Sequence, residues 1–262
     1  MARKIVITSG KGGVGKTTIC ANLGIKLAES GQKVVMLDLD IGLNNLDVVM
    51  GIENKVCYDI ADVVERKCRI KQALVQDIHC PSLYILPSNK LFTTTKINSY
   101  KIRAIVEALA CIFDYIIIDC PAGIDSGFHR AIYSASEAIV VCTPHISSIR
   151  DADKVLTILG SYNLDRVGFI VNRIRGDLIY DGKMIDIPQI CNLLKTSCVG
   201  VLPDDDSIST NKSMLKFHST GGDAFGVLAK NIMLSENTIF DYKSKYSGIF
   251  GSLKRKIRQK LQ

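Results

Sequence analysis

Gly10-Lys11-Gly12-Gly13-Val14-Gly15-Lys16-Thr17 is the stretch that decides the fold. It fits G-x-x-x-x-G-K-[ST], a phosphate cradle set between a strand and a helix. Glycines let successive backbone N–H groups turn toward phosphate oxygens, where a Cβ would clash. The helix opening at Lys16 adds the positive end of its dipole. Lys16 supplies a cation to the β/γ-phosphates and the Thr17 hydroxyl can ligate Mg²⁺. The nucleotide-binding run therefore extends from Gly10 to Thr18. Lys11 is an unusual second lysine: either solvated charge, or a finger that reaches a phosphate across a subunit boundary.

Outward from the cradle, short apolar runs recur at Lys4–Thr8, Val34–Leu39, Leu83–Leu86, Tyr115–Asp119, Ala138–Thr143, Val167–Asn172 and Cys198–Leu202. Runs apolar almost throughout predict parallel strands covered on both faces. Helical periods fall between them, at Lys16–Ser30, Ser99–Cys111, Ser147–Leu159 and Ala224–Leu234. The alternation predicts one doubly wound α/β unit, a mostly parallel sheet with helices on both faces.

Asp119 closes Tyr115-Ile116-Ile117-Ile118, a Walker B arrangement that can hold Mg²⁺ through a water. Asp38 and Asp40 end the second run, and strand alternation puts both on one face, where they repel unless a cation or water separates them. Asn172, followed by Arg173, ends a further strand; its amide has the donors and acceptor to read an adenine edge. Ser147-Ser148 reads as a hydroxyl-capped helix start running into Asp151 and Asp153. The four histidines (79, 129, 145, 218) show no ligand spacing.

KGGVGKTT, LDLDIGLNNLDVVMG (37–51), IIIDCPAGID (116–125) and TPHISSIRDADKVL (143–156), taken in order with a basic tail, resemble the MinD family of deviant Walker A ATPases. The resemblance implies ATP and Mg²⁺ as ligands, with Thr17, Asp38 and Asp119 about the metal. It implies that Lys11, Lys16 and Asp40 are catalytic, Asp40 by positioning the attacking water. Asn172, Arg173, Pro203 and Asp204 would flank the base. Ser147, Ser148, Asp151 and Asp153 would lie on the docking surface for a MinC-like inhibitor and for a MinE-like or polar-scaffold regulator. Asn44 stands where the family usually carries arginine, a departure that bears on subunit or partner contacts.

Charge and composition locate the rest. The 262 residues carry 33 basic and 26 acidic side chains. Lys243, Lys245, Lys254, Arg255, Lys256, Arg258 and Lys260 supply the whole excess of seven, so the body is formally neutral. That argues against specific nucleic-acid binding and for a surface-docking appendage. Nine scattered cysteines without a C-x-x-C pair read as reduced thiols of a cytoplasmic protein. No apolar run reaches the ~18–20 residues of a membrane span, and the N-terminus lacks a secretory pattern.

We read residues 1–236 as the ATPase domain, 237–248 as a polar joint and 249–262 as an amphipathic helix. On that helix Ile249, Phe250, Leu253, Ile257 and Leu261 form an apolar stripe; Lys254 flanks it and Arg255 and Arg258 project away. Inserting five apolar side chains contributes ~5–8 kcal/mol, and each basic residue near anionic lipid about 1 kcal/mol. Ordering thirteen residues opposes this with ~13 kcal/mol or more. One tail is marginal, whereas paired tails gain ~10²–10⁴ in apparent affinity. The expected protein is a slow, partner-stimulated ATPase that forms a homodimer on ATP. It would bind anionic lipids reversibly at the inner face of the cell membrane and control placement of the division septum. A packed helix, a disordered basic end and a nucleic-acid arm compete for the tail. A flagellar-number regulator and a ParA-like DNA-segregation ATPase compete for the chain.

Overall fold

A computed structural model describes residues 2–42, 45–88, 97–205 and 219–248, with 251, 252, 254, 255 and 258 of the tail. Asn44, His218, Ile249, Phe250, Leu253, Ile257 and Leu261 lie outside the described residues. The strands are β1 (Arg3–Thr8), β2 (Val34–Asp38), β3 (Val75–Gln76), β4 (Leu83–Leu86), β5 (Tyr115–Asp119), β6 (Glu137–Cys142), β7 (Arg166–Ile174) and β8 (Cys198–Pro203). They form one sheet in the order β3-β4-β2-β5-β1-β6-β7-β8. All pairings are parallel except β3–β4.

Two helical layers cover the sheet. On one face lie α1 (Lys16–Glu29), α2 (Leu46–Met50) and, at the far end of the chain, Thr220–Leu234. On the other lie α3 (Ile60–Val64), α4 (Ile70–Ala73), α5 (Ser99–Ala110), α6 (Ser126–Tyr133), α7 (Ile146–Leu159), α8 (Gly176–Tyr180) and α9 (Ile187–Leu194); Thr220–Leu234 is then α10. Alternation along β1 divides the core: Ile5 and Ile7 pack under α1 and α10, and Val6 packs beneath the opposite layer. Burial on both sides explains why these strands read as continuous apolar runs. No helix among the described residues is long and apolar enough to cross a membrane.

Since the strands are parallel, the loops after β1, β2, β5 and β7 all leave from one end of the sheet. That end is where open α/β sheets bind ligands. The segment 237–248, expected as a joint, packs on the body: Tyr242 and Tyr246 are buried, and the Tyr242 hydroxyl donates to Asp186.

Candidate functional site

The cradle follows β1 and opens α1. Gly13 (φ 75°) and Gly15 (φ 100°) take left-handed backbone, which favours glycine. Open space faces the missing side chains of Gly12 and Gly13, with nothing within 4 Å. At Gly10 the need is close approach: a Cβ there would sit 2.5 Å from the Asp151 carbonyl oxygen on α7. The buried Lys16 ammonium donates to the Ser9 hydroxyl at 3.1 Å, and that hydroxyl donates to the Lys11 carbonyl at 2.7 Å. Ser9 escaped the sequence reading; its signal was its place as the hydroxyl between β1 and the first glycine. The Lys11 side chain is exposed.

Beneath the cradle stand the carboxylates. Asp38 and Asp119 end the adjacent strands β2 and β5 at paired register positions, and both are buried. Asp38 accepts from the backbone N–H of Asp40 at 2.9 Å and of Leu46 at 3.3 Å. Among the described residues neither Asp119 oxygen meets a partner in good hydrogen-bond geometry, although the Thr17 hydroxyl and the Cys20 thiol lie near enough to act on it. Burial pushes the Asp119 carboxyl up to about 6, with the nearby Thr17 hydroxyl and Lys16 ammonium drawing it back. Burial, then the Asp119 charge, holds Asp38 well above the usual carboxylate range. Asp40 lies half-buried two residues beyond the strand, near enough for its charge to act on Asp38 and Asp119; burial raises its carboxyl while Lys16 opposes.

No cluster of three or more His, Cys, Asp or Glu side chains that could hold a metal occurs among the described residues. The donor set still suits Mg²⁺, which takes one or two carboxylates, waters and substrate phosphates in place of an all-protein cage. Two orphaned carboxylate oxygens near a threonine hydroxyl are that kind of partial shell.

Asn172 and Arg173 sit at a register irregularity near the end of β7, where Arg173 takes φ 59°. The Asn172 amide nitrogen donates to the Val14 carbonyl at 2.8 Å and its oxygen accepts from the Arg173 N–H at 2.9 Å. Asn172 thus braces the cradle. Gly15, Thr18, Asn172, Arg173, Pro203, Asp204 and Asp205 line a cavity of about 80 Å³. Pro203, expected in a loop, is the last residue of β8, and Asp204–Asp205 follow it as loop.

On α7, Ser147 and Asp153 are exposed and Asp151 half-buried, while Ser148 is buried and accepts from the Thr143 N–H at 3.0 Å. Ser148 holds the turn into α7 and does not face outward. In the tail, Lys254 is exposed, whereas Arg255 and Arg258 are half-buried against the body.

The CobQ/CobB/MinD/ParA nucleotide binding domain family (CbiA) matches residues 5–215. The septum site-determining protein MinD of Synechocystis sp. is 41% identical over 263 residues, 98% of this chain and 99% of its own. MinD of Bacillus subtilis is 47% identical over 210 residues, covering 79% and 78%. Among solved structures, a chain of the MinC:MinD cell division complex of Aquifex aeolicus superposes with a TM-score of 0.81 at 38% identity, covering 88% of this chain and 96% of that one. Pyrococcus horikoshii MinD complexed with Mg-ADP gives 0.80 at 33% identity, covering 88% and 96%.

Proposed function

The chain belongs to the MinD septum site-determining ATPases of the CobQ/CobB/MinD/ParA family, and from that premise we propose that it is an ATP-driven switch for placing the division septum. ATP bridges two copies, the pair holds to the cytoplasmic face of the membrane through its tails, and a MinC-like inhibitor docks on α7. Hydrolysis separates the pair and releases it.

Asp119 carries the ATPase reading: a buried carboxylate whose two oxygens meet no partner in good hydrogen-bond geometry among the described residues, at the end of the strand beside the cradle. A group desolvated in this way demands a cation. Thr17 and Asp119 would hold Mg²⁺, with Asp38 behind them. When bound, the ion neutralises charge on the β- and γ-phosphate oxygens. Lys16 presents its ammonium along the cradle to the same oxygens. Asp40 orients the attacking water, and Lys11, exposed at the cradle's rim, reaches the phosphates of the second copy. Phosphoryl transfer needs mainly such positioning and charge stabilisation. With no strong base beside the water, turnover is slow until a regulator seats on α7.

Vesicle co-sedimentation with phosphate release tests the scheme. Sedimentation should require ATP or a non-cleavable analogue, and loss of residues 249–262 should abolish it while leaving nucleotide binding intact. Equal sedimentation with ATP, ADP and no nucleotide would overturn it.

A further inference from the structure

A second cavity lies at the end of the sheet opposite the cradle. Lys33 precedes β2, Ser82 precedes β4 and Phe113 precedes β5, and these three strands are parallel neighbours. At their starts, between α4 and α5, the helical layer leaves a groove of about 800 Å³. Ligand sites usually measure ~300–1,000 Å³ and are mostly apolar with a few placed polar groups. The cavity beside the cradle, about 80 Å³, falls below that range.

Buried Leu109 and Phe113 and half-buried Ile70, Leu74 and Tyr84 line the groove. Tyr84 meets Phe113 edge to face, with centroids 5.4 Å apart and ring planes at 65°, which makes part of the lining a stiff aromatic surface. Ile112 also lines it and is 61% exposed, so apolar surface stands open to water there. Exposed Lys33, Arg69 and Lys71 contribute as well, and no Asp or Glu among the described residues does. None of the three ammonium or guanidinium groups pairs with an acidic side chain among the described residues. The nearby acids are engaged elsewhere: Glu107 meets Lys4 at 2.8 Å, and Asp114 accepts from the Lys33 backbone N–H at 2.8 Å.

An apolar groove edged by unpaired cations complements a ligand with a long apolar body and an anionic head. A small inorganic anion would leave the apolar surface wet, and a neutral hydrocarbon would leave the cations unused. A polypeptide would bring backbone N–H and C=O groups that need partners of their own, whereas a methylene chain brings none. We infer that the groove between α4 and α5 binds one free long-chain carboxylate. The chain lies against Leu109, Phe113 and Tyr84, and the carboxylate sits among Lys33, Arg69 and Lys71. Since the cradle opens at the other end of the strands, this ligand and a nucleotide do not compete for space.

The test uses the full chain and the fluorescent long-chain carboxylate cis-parinarate, kept below the concentration at which it forms micelles. Its emission should rise on binding, and palmitate should displace it. Each buried methylene changes affinity about fourfold, so a saturated acid two methylenes shorter should compete about fifteenfold more weakly. The methyl ester of palmitate should compete about fivefold more weakly than the acid. Arg69→Glu/Lys71→Glu reverses two exposed charges and should invert that preference. Ala108→Trp, at an exposed position of α5 in the lining, fills the groove and should abolish binding of acid and ester alike. Palmitate carrying a photoreactive diazirine in its chain should label residues 69–84 and 108–113. Labelling confined to residues 249–262 overturns the site, as does an affinity that neither variant changes. Equal competition by acid and ester overturns the carboxylate. Should Ala108→Trp fail to fold, the charge reversal and the labelling decide between these outcomes.

Discussion

Asp38 and Asp119 face each other across neighbouring parallel strands, two buried carboxylates in register at the end of the sheet where the cradle opens. Burial disfavours both charges, and the Asp119 charge further disfavours that of Asp38. The pair is therefore costly to the empty protein and useful once a cation arrives.

Asp119→Asn should stabilise the nucleotide-free protein. The folded carboxyl titrates near 6 against an ordinary 3.8, so the folded state holds its proton more tightly than the unfolded chain does. Stability is full below the ordinary value and falls as pH rises through about 6, by on the order of 2–3 kcal/mol. Thermal melts of wild type should decline over that window, and those of Asp119→Asn should decline less. At pH 8 the variant should melt several degrees higher without ligand, and gain little from Mg²⁺ with nucleotide.

Lys16→Ala and Asp40→Ala should separate binding from turnover. Removing the buried ammonium takes away the cation facing the phosphates, and nucleotide affinity should fall at least tenfold by titration calorimetry. Asp40→Ala should still bind nucleotide and sediment with vesicles, yet release almost no phosphate. Sustained release by Asp40→Ala would remove that residue from the water-positioning role.

Asn172→Ala should act through the cradle. Losing the bond to the Val14 carbonyl leaves a buried acceptor unpaired, at a cost of about 1–3 kcal/mol. ATP and GTP affinities should fall by similar factors, because the amide braces the loop that holds the phosphates. A loss confined to ATP would return Asn172 to reading the base edge.

Ser148→Ala should lower stability by about 1 kcal/mol through the unpaired Thr143 N–H. Inhibitor capture on vesicles should persist in this variant. Exposed Ser147 and Asp153 are the positions where substitution should reduce capture, and pull-down from lipid-bound protein distinguishes the two sets.

Seven of the strands were legible as apolar runs, because strands covered on both sides leave little room for polar residues. Val75–Gln76 was not: a two-residue antiparallel edge strand carries too few residues to show a period. The cradle, Lys16, Thr17 and Asp119 were legible because phosphate binding dictates residue type and spacing together. Asp40 lies two residues past the end of β2, yet its charge still acts on Asp38 and Asp119, so the pair was legible although the strand stops at Asp38. The irregularity at Asn172 and Arg173 depends on pairing with β8, which no local pattern records. Ser148 matched an outward cap by type, but its hydroxyl turns inward to Thr143. The docking of Arg255 and Arg258 depends on Tyr180 and Asp204, far away along the chain.

The contact between Gly10 and the backbone of Asp151 leaves no slack between the mouth proposed to swallow phosphate and the rod proposed as the landing place for visitors. On that proposal, a protein perched on the rod would sense a full or vacant mouth by touch alone, with the ligand itself out of reach, and by leaning on the rod it would press back on the chemistry.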